Sequence, residues 1–465
     1  MIELLNELND LLWSYCLIAA LVGCGLWFTW RTRFVQFRMV PEMLRLLTDS
    51  SVKPAGSERH ISSFQAFAVS LASRVGTGNL AGVATAIAVG GPGAVFWMWV
   101  MALVGAATAF VESTLGQLFK QPNADSFIGG PAYYIQRGLH CKWMAVLFSV
   151  LLILSFGLAN NSVQTNTICG AMEEAFGFDP ALVGAALVVF TLAIVFGGIQ
   201  RIARVSSVLV PIMAVGYFVL ALVIIIMNIQ YVPHVLAVIV KGAFGLKQAI
   251  GGTVGAAIMN GVKCGLFSNE AGEGSAPNAA ATAAVSHPVK QGLIQSLGVF
   301  TDTLVVCSCT AFIILISGLY NAPELNGISL TQRALESEVG AWGPVFVAVA
   351  IFLFAYSSII GNYYYGEANV RFLTSSKRAV TLFRLLSGGV MVMFGALATL
   401  NTVWVVIDFC MALITLCNLV AIAILGKYAF RLLDDYRQQK RSGIAEPTFR
   451  RSQLPEIEAD LLSWE

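Results

Sequence analysis

Charge is what this sequence has little of. Only 12% of its 465 residues are Asp, Glu, Lys or Arg, about half the share of an ordinary soluble domain. By contrast, 57% are hydrophobic and the mean hydropathy is +0.75. This balance excludes a soluble globular protein and points to an integral membrane protein. Histidine is scarce too, with four in the chain. No His-Glu-x-x-His run or nucleophile-and-base pattern is present, so no enzyme and no covalent chemistry is expected. The nine cysteines fall mostly inside apolar stretches, and the Cys307-Ser308-Cys309 run lacks metal-site spacing. They read as small packing residues, not as a disulfide framework. The ten-residue alternation of a membrane barrel is missing. The opening "MIELLNELND" has neither a basic n-region nor a small-residue cleavage site, so the first apolar stretch is expected to be retained rather than removed as a signal peptide.

What is there is a series of apolar stretches, each long enough for the roughly 20 residues a helix needs to cross a bilayer. Eleven are expected, at 12–29, 62–90, 93–118, 143–169, 180–198, 205–228, 248–285, 290–318, 341–365, 381–400 and 402–426. The loops at 31–61, 119–142, 199–204, 286–290 and 366–384, with the segment from 427 onward, hold most of the 28 basic residues. The opposite loops hold Lys241, Lys247 and Arg333, while Arg74 and Lys263 lie inside spans. Basic loops mark the cytoplasmic side, so the N-terminus is expected outside and the C-terminus inside, as an odd number of spans requires. The basic tail from Lys427 reads either as a solvated segment that fixes topology or as an amphipathic helix lying on the membrane.

Two spans are interrupted. The second contains "ASRVGTGNLAGVA" at Ala72 to Ala84, and the seventh contains "GLFSNEAGEGSAP" at Gly265 to Pro277. Glycine weakens a helix interior by about 1 kcal/mol relative to alanine. Unwound backbone at membrane depth survives only where protein or a water-filled cavity surrounds it. The two breaks are five spans apart and therefore run in opposite directions, as an inverted repeat demands. The expected organisation is an N-terminal helix and linker at 1–61, repeats at 62–228 and 229–426, and a tail at 427–465. At the first break the N–H groups of Gly78, Asn79 and Leu80 are expected to face an anion, and carbonyls from Ala72 to Val75 a cation. At the second, Ser275 is placed to N-cap the outgoing half, with Pro277 in its first turn. A zwitterion such as an amino acid suits both ends. The alternative, a glycine packing seam, must also account for Asn79, Asn269, Glu270 and Glu273, since buried ionisable groups are costly. In the fourth span Asn161 and Gln164 share a helical face and read as site residues or as interhelical glue. Glu112 and Asp302 read as structural carboxylates or as carriers of a transported proton or cation, and Asp408 as interfacial.

These motifs carry a resemblance. The stretches from Gly76 to Trp99, "GGPAYYI" from Gly129 to Ile135, "GLFSNEAGEGSAPNAA" from Gly265 to Ala280 and "YYYGE" from Tyr363 to Glu367 resemble the alanine or glycine:cation symporter family over about residues 12 to 430. The resemblance implies an all-α, leucine-transporter-like fold: a 5+5 inverted repeat preceded by one extra helix. It also implies sodium coupling, with alanine or glycine as substrate. Carried over by position, Gly76, Thr77, Gly78 and Asn79 receive the carboxylate side of the substrate, joined by Gln164 and Asn161. Phe267, Asn269 and Gly272 form the facing wall. Sodium falls between Ala72 and Val75 on one side and Ser357 and Ser358 of "YSSIIGN" on the other. No cofactor beyond the transported ion and no nucleic acid is implied; the partners are the amino acid, sodium and the bilayer of the cell's inner membrane.

The chain departs from the family pattern at Lys263 and Cys264, where relatives commonly carry an arginine, and at Arg74, Glu273 and Asn362. A rearranged ion-pair network involving Arg74, Lys263, Glu270 and Glu273 is one reading, for example Glu273 with Arg74 or Lys263. Arg74 and Lys263 reaching water is the other. A small residue at Asn362 would enlarge the side-chain pocket toward glutamine. Proton coupling through Glu270, Glu273 or Asp302, and a channel, are the rival functions.

Overall fold

The computed structural model describes residues 2–48, 61–123, 126–245, 254–322, 324–399 and 401–464. Residues 49–60 of the expected linker, Lys247 and the first part of the seventh expected span lie outside the described residues.

Helical stretches occur at all eleven expected places. In chain order they are α1 (2–31), the broken pair α3 (Ser63–Arg74) and α4 (Gly78–Gly90), α5 (Gly93–Leu118), α7 (Lys142–Phe176), α8 (Pro180–Val195) and α9 (Gly198–Met227). The second group comprises the broken pair α11 (Val254–Asn269) and α12 (Ala276–Ala280), then α13 (Pro288–Ser317), α15 (Gly343–Leu373), α16 (Lys377–Leu397) and α17 (Asn401–Arg441). The loops contribute α2 (Val40–Leu47), α6 (Pro131–Gly138), α10 (Val232–Ala243) and α14 (Gly327–Val339), with a small hairpin of β1 (Gln121–Asn123) and β2 (Ser126–Ile128). Local chemistry sets many of the helix starts. Ser62 and Gln65 form a reciprocal capping box at α3, and Asp179, His287, Asn326 and Ser376 each accept a backbone N–H at the start of a helix.

α5 is the central wall. It packs against α1, α11, α12, α13 and α17, and small residues let the chains approach closely. At Gly116 a Cβ would stand 2.8 Å from the Pro277 ring of the second break. α9 is peripheral and presents Val208, Ile212, Val215 and Ile226 outward, as lipid contact requires.

The C-terminal tail packs back on the bundle through its apolar residues. α17 runs on to Arg441, and the chain then folds back over the end of the bundle that carries the basic loops. Phe449, Leu454, Ile457, Leu461 and Trp464 are buried there. Phe449 N–H donates to Ser286 O at 2.9 Å, and Trp464 Nε1 donates to Leu118 O at 3.0 Å. Lys120 Nζ donates to Ala283 O at 2.9 Å beneath the rings of Phe127 and Trp464. The sequence-based expectation missed this because the tail's aromatic residues find their partners far back along the chain.

The same end ties α2 to α17 through Glu42. Burial pushes its carboxyl up, but hydrogen bonds from Arg45, Tyr436 and Lys440 outweigh that and hold it down at about 2. A carboxylate with a lowered folded-state value contributes stability above its ordinary titration range and loses it as pH falls toward that value. Glu42→Gln should therefore lower the unfolding midpoint at neutral pH. Its difference from the wild type should shrink to nothing between the ordinary glutamate range and about pH 2. A gap that persists at the lowest pH would assign the effect to packing instead of charge.

Candidate functional site

At the first break α3 stops because Val75 leaves the helical region, at φ −80° and ψ 94°. Gly76 is needed there: a Cβ would collide with Ser358 Oγ and stand 2.8 Å from Gln164 Oε1. The freed backbone groups are satisfied by side chains, as the low dielectric demands. Asn79 Oδ1 accepts Gly76 N–H at 2.8 Å. Gln164 Oε1 accepts Thr77 N–H at 3.0 Å and the Thr77 hydroxyl at 2.7 Å, with Gln164 itself steadied by Asn160. Asn79 Nδ2 reaches across to Asp302 Oδ1 at 2.7 Å, and Ser268 and Thr303 donate to the other oxygen at 2.6 and 2.9 Å. Asp302 sits on a π-helical stretch of α13, Phe300–Cys307, a wide turn of the kind that re-aims side chains at functional sites.

Asn79 is thus a brace between three elements and not a free wall residue. Its own N–H, expected to await an anion, donates to Gly76 O at 3.2 Å. On the other face of the break, Ser358 Oγ lies 3.0 Å from Ala72 O and 3.3 Å from Val75 O, and Ser357 Oγ lies 3.2 Å from Ala72 O. Two carbonyls and two hydroxyls therefore converge between α3 and α15.

The second break turns through positive φ at Glu270 (56°), Gly272 (94°) and Gly274 (82°), the last two at positions glycine adopts without strain. The turn is anchored by Glu112 of α5. Its carboxylate accepts Gly272 N–H at 3.3 Å, Gly274 N–H at 3.2 Å and Asn418 Nδ2 at 2.8 Å. Two backbone amides and one side-chain amide thus converge on a single buried carboxylate. Glu270 accepts from Ser73 at 2.8 Å and from Ser275 at 2.5 Å. The Ser275 hydroxyl is consumed in this way, so it does not N-cap α12, where no side-chain cap is formed; Pro277 does occupy the first turn.

The remaining expected residues separate. Asn362 Oδ1 accepts from Ser73 at 2.6 Å, beside Glu270 and away from the cavity described below. Asn269 donates to Thr303 and caps Ala271 N–H. Gly272 packs toward Leu21 and Leu419 on the scaffold side. Asn161 donates to Gly157 O and to Ser387 of α16 at 3.0 Å, which makes it interhelical glue. The expected pairing of Glu273 with Arg74 or Lys263 is not formed. Arg74 is buried and donates to Gln295 O at 3.1 Å, whereas Lys263 pairs with Asp408. Among the described residues neither Glu273 oxygen has a hydrogen-bond partner. Asp408 is thus engaged with α11 instead of idling at an interface. Sequence reasoning also missed Ser73, Ser268 and Asn418; their only signal was a polar side chain within an apolar run.

In front of the first break lies a cavity of about 570 Å³ that opens away from the basic loops. Thr77 and Phe267 line its deep part, and Trp13, Lys263, Trp404 and Asp408 line its outer part. The opposite end is shut. Ile61 and Ala283 form a β-bridge, Ala284 N–H donates to Ile61 O at 3.0 Å, and Gln117 and Lys120 both donate to Ala283 O. Among the described residues no cluster of His, Cys, Asp and Glu has the makings of a metal centre.

Asn79→Ala removes the acceptor for Gly76 N–H and a donor to Asp302 together. It should cost about 2 kcal/mol of unfolding free energy, visible as a lower denaturation midpoint in detergent. A wild-type midpoint would show that the brace is dispensable.

A family model described as "Sodium:alanine symporter family" matches residues 1–451. Among curated relatives, the chain is 52% identical over 443 residues to the "Probable sodium/glutamine symporter GlnT" of Bacillus subtilis (strain 168), covering 95% of this chain and 91% of the relative. It is 49% identical over 463 residues to the "Amino-acid carrier protein AlsT" of the same organism, covering 100% and 97%. Among solved structures, MhsT in complex with L-phenylalanine superposes with a TM-score of 0.55 at 13% identity, over 81% of this chain and 99% of that one. The likeness shows that the fold is leucine-transporter-like.

Proposed function

From the premise that this chain belongs to the sodium:alanine symporter family, and so is a cation-coupled amino-acid symporter of a membrane and not an enzyme, we propose that it imports a small neutral amino acid, alanine or glycine, with sodium. The observation that carries the ion is the convergence of Ala72 O, Val75 O and the Ser357 and Ser358 hydroxyls. Neutral oxygens replace a sodium ion's hydration without a full negative charge that would hold it too tightly for turnover. An ion there binds the end of α3 to α15, so its presence favours one arrangement of the broken helix over another.

The amino acid enters the cavity and meets Thr77 and Phe267 at its deep end. Basic loops mark the cytoplasmic side, which puts the N-terminus outside, the C-terminus inside, and the open cavity toward the exterior. Release then requires the seal between Ile61 and Ala284 to part while the cavity closes, by movement of the two halves, 62–228 and 229–426, about the site. The protein belongs in the cell membrane in this reading.

A larger polar amino acid such as glutamine is the second reading, favoured by the cavity's volume and by similarity to a protein named a probable sodium/glutamine symporter. Proton coupling through Glu270 or Asp302 has less support, because each accepts from two or more side chains and acts as a brace. Ser358→Ala in proteoliposomes should raise the sodium concentration for half-maximal alanine uptake by about tenfold, as expected for losing about 1.4 kcal/mol of ion binding. An unchanged sodium curve would move the ion elsewhere. Competition by alanine, glycine and glutamine in the same vesicles separates the two substrate readings.

A further inference from the structure

The helix that precedes the broken pairs ends in a strained turn. α1 stops at Arg31, and the chain then passes through two left-handed residues that are not glycine, Arg33 at φ 55° and Phe34 at φ 60°. That conformation is costly for a residue with a Cβ, and hydrogen bonds on both sides hold it. Phe34 N–H donates to Thr29 O at 2.8 Å, the Thr32 N–H and hydroxyl donate to Phe28 O at 2.9 and 2.7 Å, and Gln36 Nε2 donates to the Thr29 hydroxyl at 2.9 Å. The turn sends Phe34 and Phe37 outward, 52% and 48% exposed, after Trp30 at 68%. Leu26, one helical turn before Trp30, is exposed as well. The row thus runs from lipid to the membrane surface, where aromatic side chains belong.

The same turn carries charge. Arg437 of α17 donates through Nη2 to Thr32 O at 3.1 Å. Arg38, Arg33 and Arg441 stand close enough to press their like charges on Arg437, with Asp434 opposing them. Among the described residues none of these four arginines enters an ion pair. Glu42 of α2 is taken by Arg45, Tyr436 and Lys440. An excess of positive charge therefore sits at the basic-loop ends of α1 and α17, directly beside the exposed aromatic row.

We propose that this corner is a binding site for an anionic phospholipid of the adjoining leaflet, with its phosphate among Arg33, Arg38 and Arg441 and its acyl chains along Leu26 and Trp30. Guanidinium groups present forked donors that match phosphate oxygens, and arginines just outside a span are drawn to anionic lipid. A zwitterionic headgroup brings its own ammonium, which the arginines repel. A soluble phosphate gains the charge contacts but leaves Trp30 and Phe34 without a partner. At the opposite end Asn9 and Trp13 tie α1 to α17 directly, through Val405 O and Asp408 O. The lipid supplies a matching tie where the two helices meet the basic loops, and so splints α1 along its whole length.

The test is thermal unfolding of the purified full-length protein in a neutral detergent, titrated with phosphatidylglycerol or with phosphatidylcholine of the same chains. Phosphatidylglycerol should raise the midpoint saturably and phosphatidylcholine should not. Arg33→Gln with Arg38→Gln should weaken the phosphatidylglycerol response about thirtyfold, roughly a factor of five for each charge. Trp30→Ala should weaken it too. Arg204→Gln with Arg378→Gln removes the same charge from other loops at that end and should leave it unchanged. Equal stabilisation of the wild type by both lipids overturns the site, as does an equal loss in the two double variants. Glycerol 1-phosphate acting at the same concentrations as phosphatidylglycerol would make this a soluble-anion site and overturn the lipid. The wild-type comparison and Trp30→Ala decide the matter even where the arginine variant unfolds.

Discussion

A helix interrupted inside a membrane must find partners for the peptide groups it frees, and that requirement organises this protein. Two carboxylates meet much of it. Glu112 gathers the Gly272 and Gly274 amides of the second break. Asp302 holds Asn79, which in turn takes the Gly76 amide of the first. Each acid lies on an intact neighbouring helix, α5 or α13. The breaks are therefore stiff where they meet the scaffold, and their remaining polar atoms are left for ligands.

This arrangement separates two tasks that proximity in the chain would suggest are one. Asn79 and Glu112 keep the unwound backbone in shape, while Ala72, Val75, Ser357 and Ser358 present oxygens on another side. Thr77 stands between the two groups, its backbone and hydroxyl both committed to Gln164 and its side facing the cavity. A ligand that pulls on Thr77 therefore acts on α7 through Gln164. An ion at the proposed site would act on α15 through Ser358. Both helices are joined to the same three-residue gap in the first broken span.

The eleven spans and both breaks were legible because their signals are local: about 20 apolar residues for a crossing, and glycine beside hydrogen-bonding side chains for an interruption. Identity of partners was not. Glu112 was visible as an acid in an apolar run, but the amides it receives lie about 160 positions on, and nothing nearby announces them. Lys263 and Asp408 were visible separately, and their pairing depends on how α11 meets α17. Asn161 and Gln164 share a helical face, yet one meets α16 and the other the break, because α7 lies between the two. The tail misled for the same reason: its charge was evident, whereas the burial of Phe449 and Trp464 is a tertiary fact.

The bracing of each interruption by a distant helix bears on how such carriers can be recombined. A hybrid spliced between α9 and α11 from two parents would take Asn79 and Glu112 from one and Asp302 and the Gly272 and Gly274 amides from the other. Unless the parents match at those positions, the splice leaves buried acids facing strangers, and the graft fails at the membrane's centre and not at its seam.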